Sequence, residues 1–353
     1  SEDAIRPSSA PNPDLRWEKT QSANIGMDLS LWDNIISLSV DYYYRKGTDL
    51  IGLRMLPLET GYTSTTVNWA QMENEGVEVA LTTRNIHTKD FTWFTNLNFG
   101  YNDNTVLRET VAENAIKPSR EGYSVGAIFA YKTAGLDDEG YPLFLTQDGR
   151  KVTATEFFKL NNAGASTLSA EEQRNLYSYI GSTEPKVSGG FMNTFKYKRV
   201  TLGINCIFNF GMYVQTTPTY DPTNYDRGLN SNRDILNRWT PDHTNTTLPK
   251  LMTENDGRTG EYLRYKEQNL FRELDIWVKK QNYFRFESIR LGYELPEKWL
   301  KPVGIKSASV SLEGRNLWVI ASNYHNYLDP ETMGNPYAAP IPKSFIFGLN
   351  VNF

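Results

Sequence analysis

The sequence predicts an all-β fold: a transmembrane antiparallel β-barrel wall with long loops at one end. Three observations predict it. Apolar and polar residues alternate with a period of two in about nine segments spread along the chain, the mark of strands with one apolar and one polar face. The connections between those segments are short and long in strict turn, as in barrels with tight turns on one side of a membrane and large loops on the other. The chain is also aromatic, with 21 Tyr, 17 Phe and 8 Trp in 353 residues, which suits strands and membrane interfaces.

In chain order, Ala23, Ile25, Met27, Leu29 and Leu31 alternate with Asn24, Gly26, Asp28 and Ser30. After a few turn residues, Ile36, Leu38, Val40, Tyr42 and Tyr44 alternate with Ser37, Ser39, Asp41, Tyr43 and Arg45, so the two segments form a hairpin. A second hairpin joins Val77, Val79 and Leu81 to Phe91, Trp93, Thr95, Leu97, Phe99 and Tyr101. A third joins a stretch near residues 187–197 to Val200, Leu202, Ile204, Cys206, Phe208 and Phe210, which places Cys206 on the apolar face. Ile289, Leu291, Tyr293 and Leu295, then Ala308, Val310 and Leu312, make a fourth. In the last segment Phe345, Phe347, Leu349, Val351 and Phe353 alternate with Ile346, Gly348, Asn350 and Asn352, and this aromatic end reads as a barrel-assembly signal.

Each segment approaches the roughly 9–11 residues that a tilted strand needs to cross hydrocarbon. Short connections fall at residues 32–34, 85–89, 198–199 and 296–305, and long ones at 46–71, 103–185, 212–281 and 319–342. A secreted β-sandwich, whose strands also alternate, has no reason for that order. Asn, Asp, Arg and Glu on the polar face suit a wet lumen, and Trp17, Trp93 and Trp318 at strand ends suit an interfacial girdle. The expected setting is a bacterial outer membrane and its lipid, with long loops extracellular and the C-terminus periplasmic.

Other classes are excluded on composition. A net charge of -4 without a basic block offers no surface for nucleic acid. One cysteine and three distant histidines, His87, His243 and His325, support neither a disulfide framework nor a thiolate metal site. No apolar run approaches the 18 residues of a membrane helix. No phosphate loop, HExxH or GxSxG is present, so no enzyme, cofactor or metal is expected. The start at Ser1-Glu2-Asp3, without initiator Met or signal peptide, reads as a chain that begins mid-protein or after processing.

Several spaced segments resemble one family. Asn12-Pro13-Asp14-Leu15-Arg16-Trp17-Glu18-Lys19-Thr20 is similar to the NPxLxWEKT segment of SusC/RagA transporters. Asn68-Trp69-Ala70-Gln71-Met72-Glu73-Asn74-Glu75-Gly76-Val77-Glu78 is close to its NxGxMxNxGxE, with Ala70 where the family often has Gly. Residues 283–296, Gly314-Arg315-Asn316-Leu317 and the C-terminal strand continue the resemblance in order. It implies a TonB-dependent importer of oligosaccharides or peptides: a plugged barrel of about 22 strands, driven by the TonB complex and lidded by a SusD-like lipoprotein. On that resemblance residues 1–353 are the C-terminal part of the barrel. The plug, the TonB box and the remaining strands would then lie outside it. A passive porin is the alternative within the barrel class, and a secreted glycan-binding β-sandwich is the soluble alternative.

The candidate contacts follow from the pattern. Tyr213, Tyr220, Tyr225, Trp239, Tyr262 and Tyr265 lie in the long connection 212–281, where rings either stack on sugar or peptide or pack the loop against itself. Arg45, Arg290, Glu294, Glu313 and Arg315 face the lumen and are expected to pair with one another or with the plug. Asp137-Asp138-Glu139-Gly140 and Glu254-Asn255-Asp256-Gly257 are acidic turns that fit no twelve-residue calcium loop.

Overall fold

A computed structural model describes residues 10–353 except 57–59, 61, 63, 110, 224–231, 254, 269, 323–328 and 336. Its main element is a nine-stranded antiparallel sheet whose order in space is its order in sequence. The strands are β1 (Lys19–Leu31), β2 (Ile36–Met55), β3 (Ser64–His87), β4 (Phe91–Arg108), β5 (Val187–Tyr197), β6 (Val200–Phe210), β7 (Tyr283–Glu294), β8 (Ser307–Ala321) and β9 (Ser344–Asn352). All nine lie where the alternation places them.

Cross-strand register turns the alternation into two faces. One row runs Met27, Val40, Val79, Phe99, Gly189, Phe208, Phe284 and Ile320, each paired with the next. The row beside it runs Gly26, Asp41, Glu78, Gly100, Ser188, Asn209 and Tyr283. The apolar face is open: Ile25, Phe345 and Phe347 are 74%, 73% and 72% exposed. A continuous apolar surface of that extent needs lipid or another cover. Cys206 lies on it as expected, buried between its register partners Phe191 and Phe286.

The strands are longer than their apolar bands. β2 holds 20 residues and β3 24, so most of the expected connection 46–71 is paired strand. Pairing runs from Arg45↔Asn74 to Met55↔Ser64 through a bulge after Gly47, beside which Asp49 has φ of 56°. Beyond the band both faces are wet, so backbone pairing persists after the period-two signal has ended. Register also shows the stagger of a tilted sheet: Ile36, the first residue of β2, faces Thr83, while β3 continues to His87. Gly76 has no room for a Cβ, which would lie 2.2 Å from the Tyr101 carbonyl oxygen. The Tyr43 ring crosses Gly76, where a Cβ would lie 2.6 Å from its hydroxyl, and that hydroxyl donates to Asn102 Oδ1 at 2.8 Å.

The short turns gather at one end of the sheet and the long connections at the other. The connections after β4 and β6 do not stand apart. Tyr131, Phe144, Phe157, Phe158 and Tyr177 of the first share one core with Tyr220, Tyr262, Tyr265, Phe271 and Trp277 of the second. In the first, Ala127–Ala130 pairs with Ser178–Ser182; in the second, the helix Thr259–Gln268 brings Arg264 over the Phe158 ring at 4.7 Å.

The two faces make a direct prediction. Leu97→Arg, on the apolar face, should destabilise the folded wall by about 2–4 kcal/mol if that face meets mid-depth lipid, whereas Asn98→Arg next to it should be nearly neutral. Urea titration of the complete protein in lipid vesicles, followed by its heat-modifiable migration, reads both. Equal effects would contradict the face assignment.

Candidate functional site

On β5, β7 and β8 the polar face carries charge in pairs. Arg290 faces Glu313 in register and reaches Ser311 Oγ at 3.4 Å. Glu313 accepts from Arg315 Nε at 2.6 Å, and Lys196 Nζ lies 2.9 Å from Glu294 Oε1. Arg290, Glu294 and Glu313 line one concave hollow of about 450 Å³ with Thr194, Thr201 and Asn205. Four of the five lumen charges read from sequence therefore gather on β7 and β8. Arg45 stands apart on β2, its guanidinium 5.4 Å from the Tyr43 ring centroid.

Sequence reasoning missed Arg285. It lies on the polar face of β7, 3% exposed, with Nη2 2.5 Å from Asp329 and Nε 2.6 Å from Glu331. Asp329 is itself buried at 5%, so this fork holds the β8–β9 connection against the sheet. The polar position of Arg285 between Phe284 and Phe286 was visible. Its partners, 44 and 46 residues away, were not.

The loop aromatics divide by burial. Tyr220, Tyr262 and Tyr265 are 6%, 4% and 3% exposed and belong to the shared core. The Tyr220 hydroxyl donates to the Pro249 carbonyl at 2.6 Å, and burial pushes the Tyr265 hydroxyl well above the usual phenol range. Tyr213 and Trp239 are half-buried against glycines: a Cβ at Gly181 would meet the Tyr213 ring at 2.3 Å, and one at Gly140 the Trp239 ring at 2.5 Å. Tyr225 lies outside the described residues. Of the three girdle tryptophans, Trp17 and Trp318 are exposed, while Trp93 is half-buried, stacked on Phe195 and donating to Asn193 Oδ1 at 2.9 Å.

The two acidic turns meet across the loop unit. Asp137 Oδ1 accepts from the backbone N–H groups of Glu139 and Tyr141, while Oδ2 pairs with Arg258. Arg258 also pairs with buried Glu261 at 2.6 Å and stacks over Tyr141 at 4.0 Å. The Tyr141 hydroxyl donates to Asp256 Oδ2, which lies 3.5 Å from Lys250 Nζ. The protein's own cations, Arg258 and Lys250, thus neutralise Asp137 and Asp256; Glu254 lies outside the described residues. Thr155 bonds Glu261 Oε1 at 2.9 Å, tying the two connections together again.

Two outcomes are expected from these pairs. Arg285→Ala leaves two carboxylates unpaired, Asp329 in a buried position, a change of about 3–5 kcal/mol. It should release residues 329–335 to hydrogen exchange while the core strands of the sheet stay protected; unchanged exchange there would contradict the latch. For Glu109, burial raises the carboxyl, but the Arg120 side chain and backbone donors outweigh it and hold it below the usual carboxylate range. Its contribution is therefore present above the ordinary value of about 4.3 and lost as pH falls through the lower folded value. Protection of residues 106–125, taken relative to the intrinsic exchange rate at each pH, should fall between pH 5 and pH 3, and Arg120→Ala should move that fall to higher pH; unchanged protection would contradict the pair.

Comparison with known proteins accords with this arrangement. Residues 4–317 match the family described as TonB dependent receptor-like, beta-barrel. TonB-dependent receptor P3 of Formosa agariphila is 27% identical over 97% of this chain, and TonB-dependent receptor SusC of Bacteroides thetaiotaomicron is 23% identical over 97%. The solved structure of the RagAB peptide transporter is 26% identical, covers 100% of this chain and superposes with a TM-score of 0.76. The chain spans 35% and 32% of the two receptors and 38% of the RagAB chain. The matched span, from residue 4 to residue 317, covers most of the sheet and both large connections, and the chain belongs to the SusC/RagA family of TonB-dependent outer-membrane transporters.

Proposed function

We propose that this chain is the C-terminal part of the barrel of a TonB-dependent importer of oligomeric nutrients, oligosaccharides or peptides. One observation carries the reading: an apolar outer face, a polar inner face and a fused loop unit occur together in a chain 26% identical over its whole length to the RagAB peptide transporter. On this reading the long-loop end is extracellular and Phe353 lies at the periplasmic end. The remaining strands join β1 and β9, each of which has a neighbour on one side only among the described residues. The plug and the TonB contact belong to the rest of the polypeptide, and the charged hollow around Arg290 and Glu313 faces the plug. A SusD-like lipoprotein covers the loop unit. Tyr213 and Trp239, half-buried in the loop unit, are the loop rings that reach cargo. Tyr220, Tyr262 and Tyr265 hold that unit in shape.

The test is uptake. In the producing bacterium, deletion of the gene should abolish import of one class of labelled oligomer, loss of TonB should do the same, and an affinity-tagged protein should bring down a surface lipoprotein. Import that continues without TonB would contradict the proposal and favour a passive porin.

A further inference from the structure

A second hollow, of about 160 Å³, lies where the connection after β4 returns to the sheet. Its floor is an aromatic pair that the sequence reading did not single out. Tyr123 and Tyr179 stack with centroids 4.5 Å apart and an interplanar angle of 27°, and Phe129 meets both rings edge-on. The two tyrosines are nonetheless 40% and 41% exposed. Neither hydroxyl has a hydrogen-bond partner among the described residues. Both rings are fixed by backbone pairing: Val106 N–H donates to the Tyr123 carbonyl, Gly122 N–H donates to that of Val106, and Tyr179 is held by Ser178–Ser182 paired with Ala127–Ala130. Two large rings stacked on each other on rigid backbone, and still half in water, offer their uncovered surfaces to a partner.

The surroundings define the partner's chemistry. Asp103 and Lys186 form an ion pair at 3.1 Å beside the rings. Ser124 and Ser182 share a hydroxyl–hydroxyl bond, and exposed Glu184, its N–H bound to Ser182 Oγ, also lines the hollow. A phosphate or an acidic peptide would need an uncommitted cation, and Lys186 is already matched to Asp103. An apolar side chain would leave the carboxylates and hydroxyls without partners. A pyranose satisfies both requirements: its C–H face lies on flat rings, and its vicinal hydroxyls donate to carboxylates and accept from hydroxyl or ammonium groups.

We infer that this hollow is a saccharide subsite, with the Tyr123–Tyr179 pair as stacking platform and Glu184 and Asp103 as hydroxyl acceptors. Asp103 lies two residues beyond Tyr101, the last aromatic of the apolar face on β4. Both a free oligosaccharide and the sugar headgroup of an outer-membrane glycolipid can reach that height. The inference concerns binding alone and is independent of how transport is driven.

Hydrogen exchange of the complete transporter in detergent tests it, with maltoheptaose, chitohexaose and purified rough lipopolysaccharide as three separate probes. At least one should slow exchange of residues 122–126 and 178–184, and Tyr123→Ala/Tyr179→Ala should abolish the effect. Glu184→Gln, an exposed change that leaves the fold intact, should weaken it by a few-fold to about tenfold, as expected for one lost charged hydrogen bond. Protection by a soluble oligosaccharide assigns the site to external glycan, and protection by lipopolysaccharide alone assigns it to membrane lipid. No protection by any of the three, or protection that survives the double variant, would overturn the inference.

Discussion

In hydrocarbon no water completes a hydrogen bond, so every backbone N–H and C=O that crosses a membrane must find its partner in the next strand. This constraint explains why nine strands run as one uninterrupted antiparallel series, each beside its sequence neighbour. It also explains why bulges, such as those near Cys206 and Phe286, shift the register without breaking the ladder. A series of nine leaves two edges, on β1 and β9. In lipid those edges are untenable alone, which agrees with a chain that spans about a third of the receptors it resembles.

Once pairing is fixed, the side chains have only two destinations. The apolar face presents Ile25, Phe345 and Phe347 unprotected by protein, and the other face gathers polar and charged groups. Arg290 stands opposite Glu313 and Lys196 pairs with Glu294, whereas Asp41 and Glu78 face each other across β2 and β3. The buried Arg285 fork differs in purpose. A guanidinium at 3% exposure between two carboxylates is weak as a source of stability but specific in geometry, and it fixes how one long connection returns to the sheet. Beyond the wall, the connections after β4 and β6 are too long to be ordered singly, and their common aromatic core supplies the burial that each lacks.

Legibility in the sequence follows the same division. β9 is the clearest case, because every outward position from Phe345 to Phe353 is apolar and nearly every inward one small or polar. The ends of β2 and β3 were hidden because strands with two wet faces carry no alternation. The shared loop core was hidden for another reason: contacts such as Thr155 with Glu261 span 106 residues, and aromatic residues in a loop read alike whether they pack or bind. Tyr220 and Tyr265 were conspicuous by residue type, and the core claimed them. Tyr123 and Tyr179 attracted no notice in sequence, since nothing local indicates that two tyrosines 56 positions apart will stack in the open.

The most direct test of the account is the accessibility of single cysteines along Val187–Phe210 in the complete, Cys206→Ser protein within native outer membranes. The account predicts a two-residue period in antiphase. Positions 191, 195, 202 and 208 should react with a lipid-dissolved probe and resist a water-soluble maleimide, while 192, 194, 201 and 209 behave in the opposite way. Uniform reaction with the water-soluble reagent on both faces would contradict a wall between lipid and lumen.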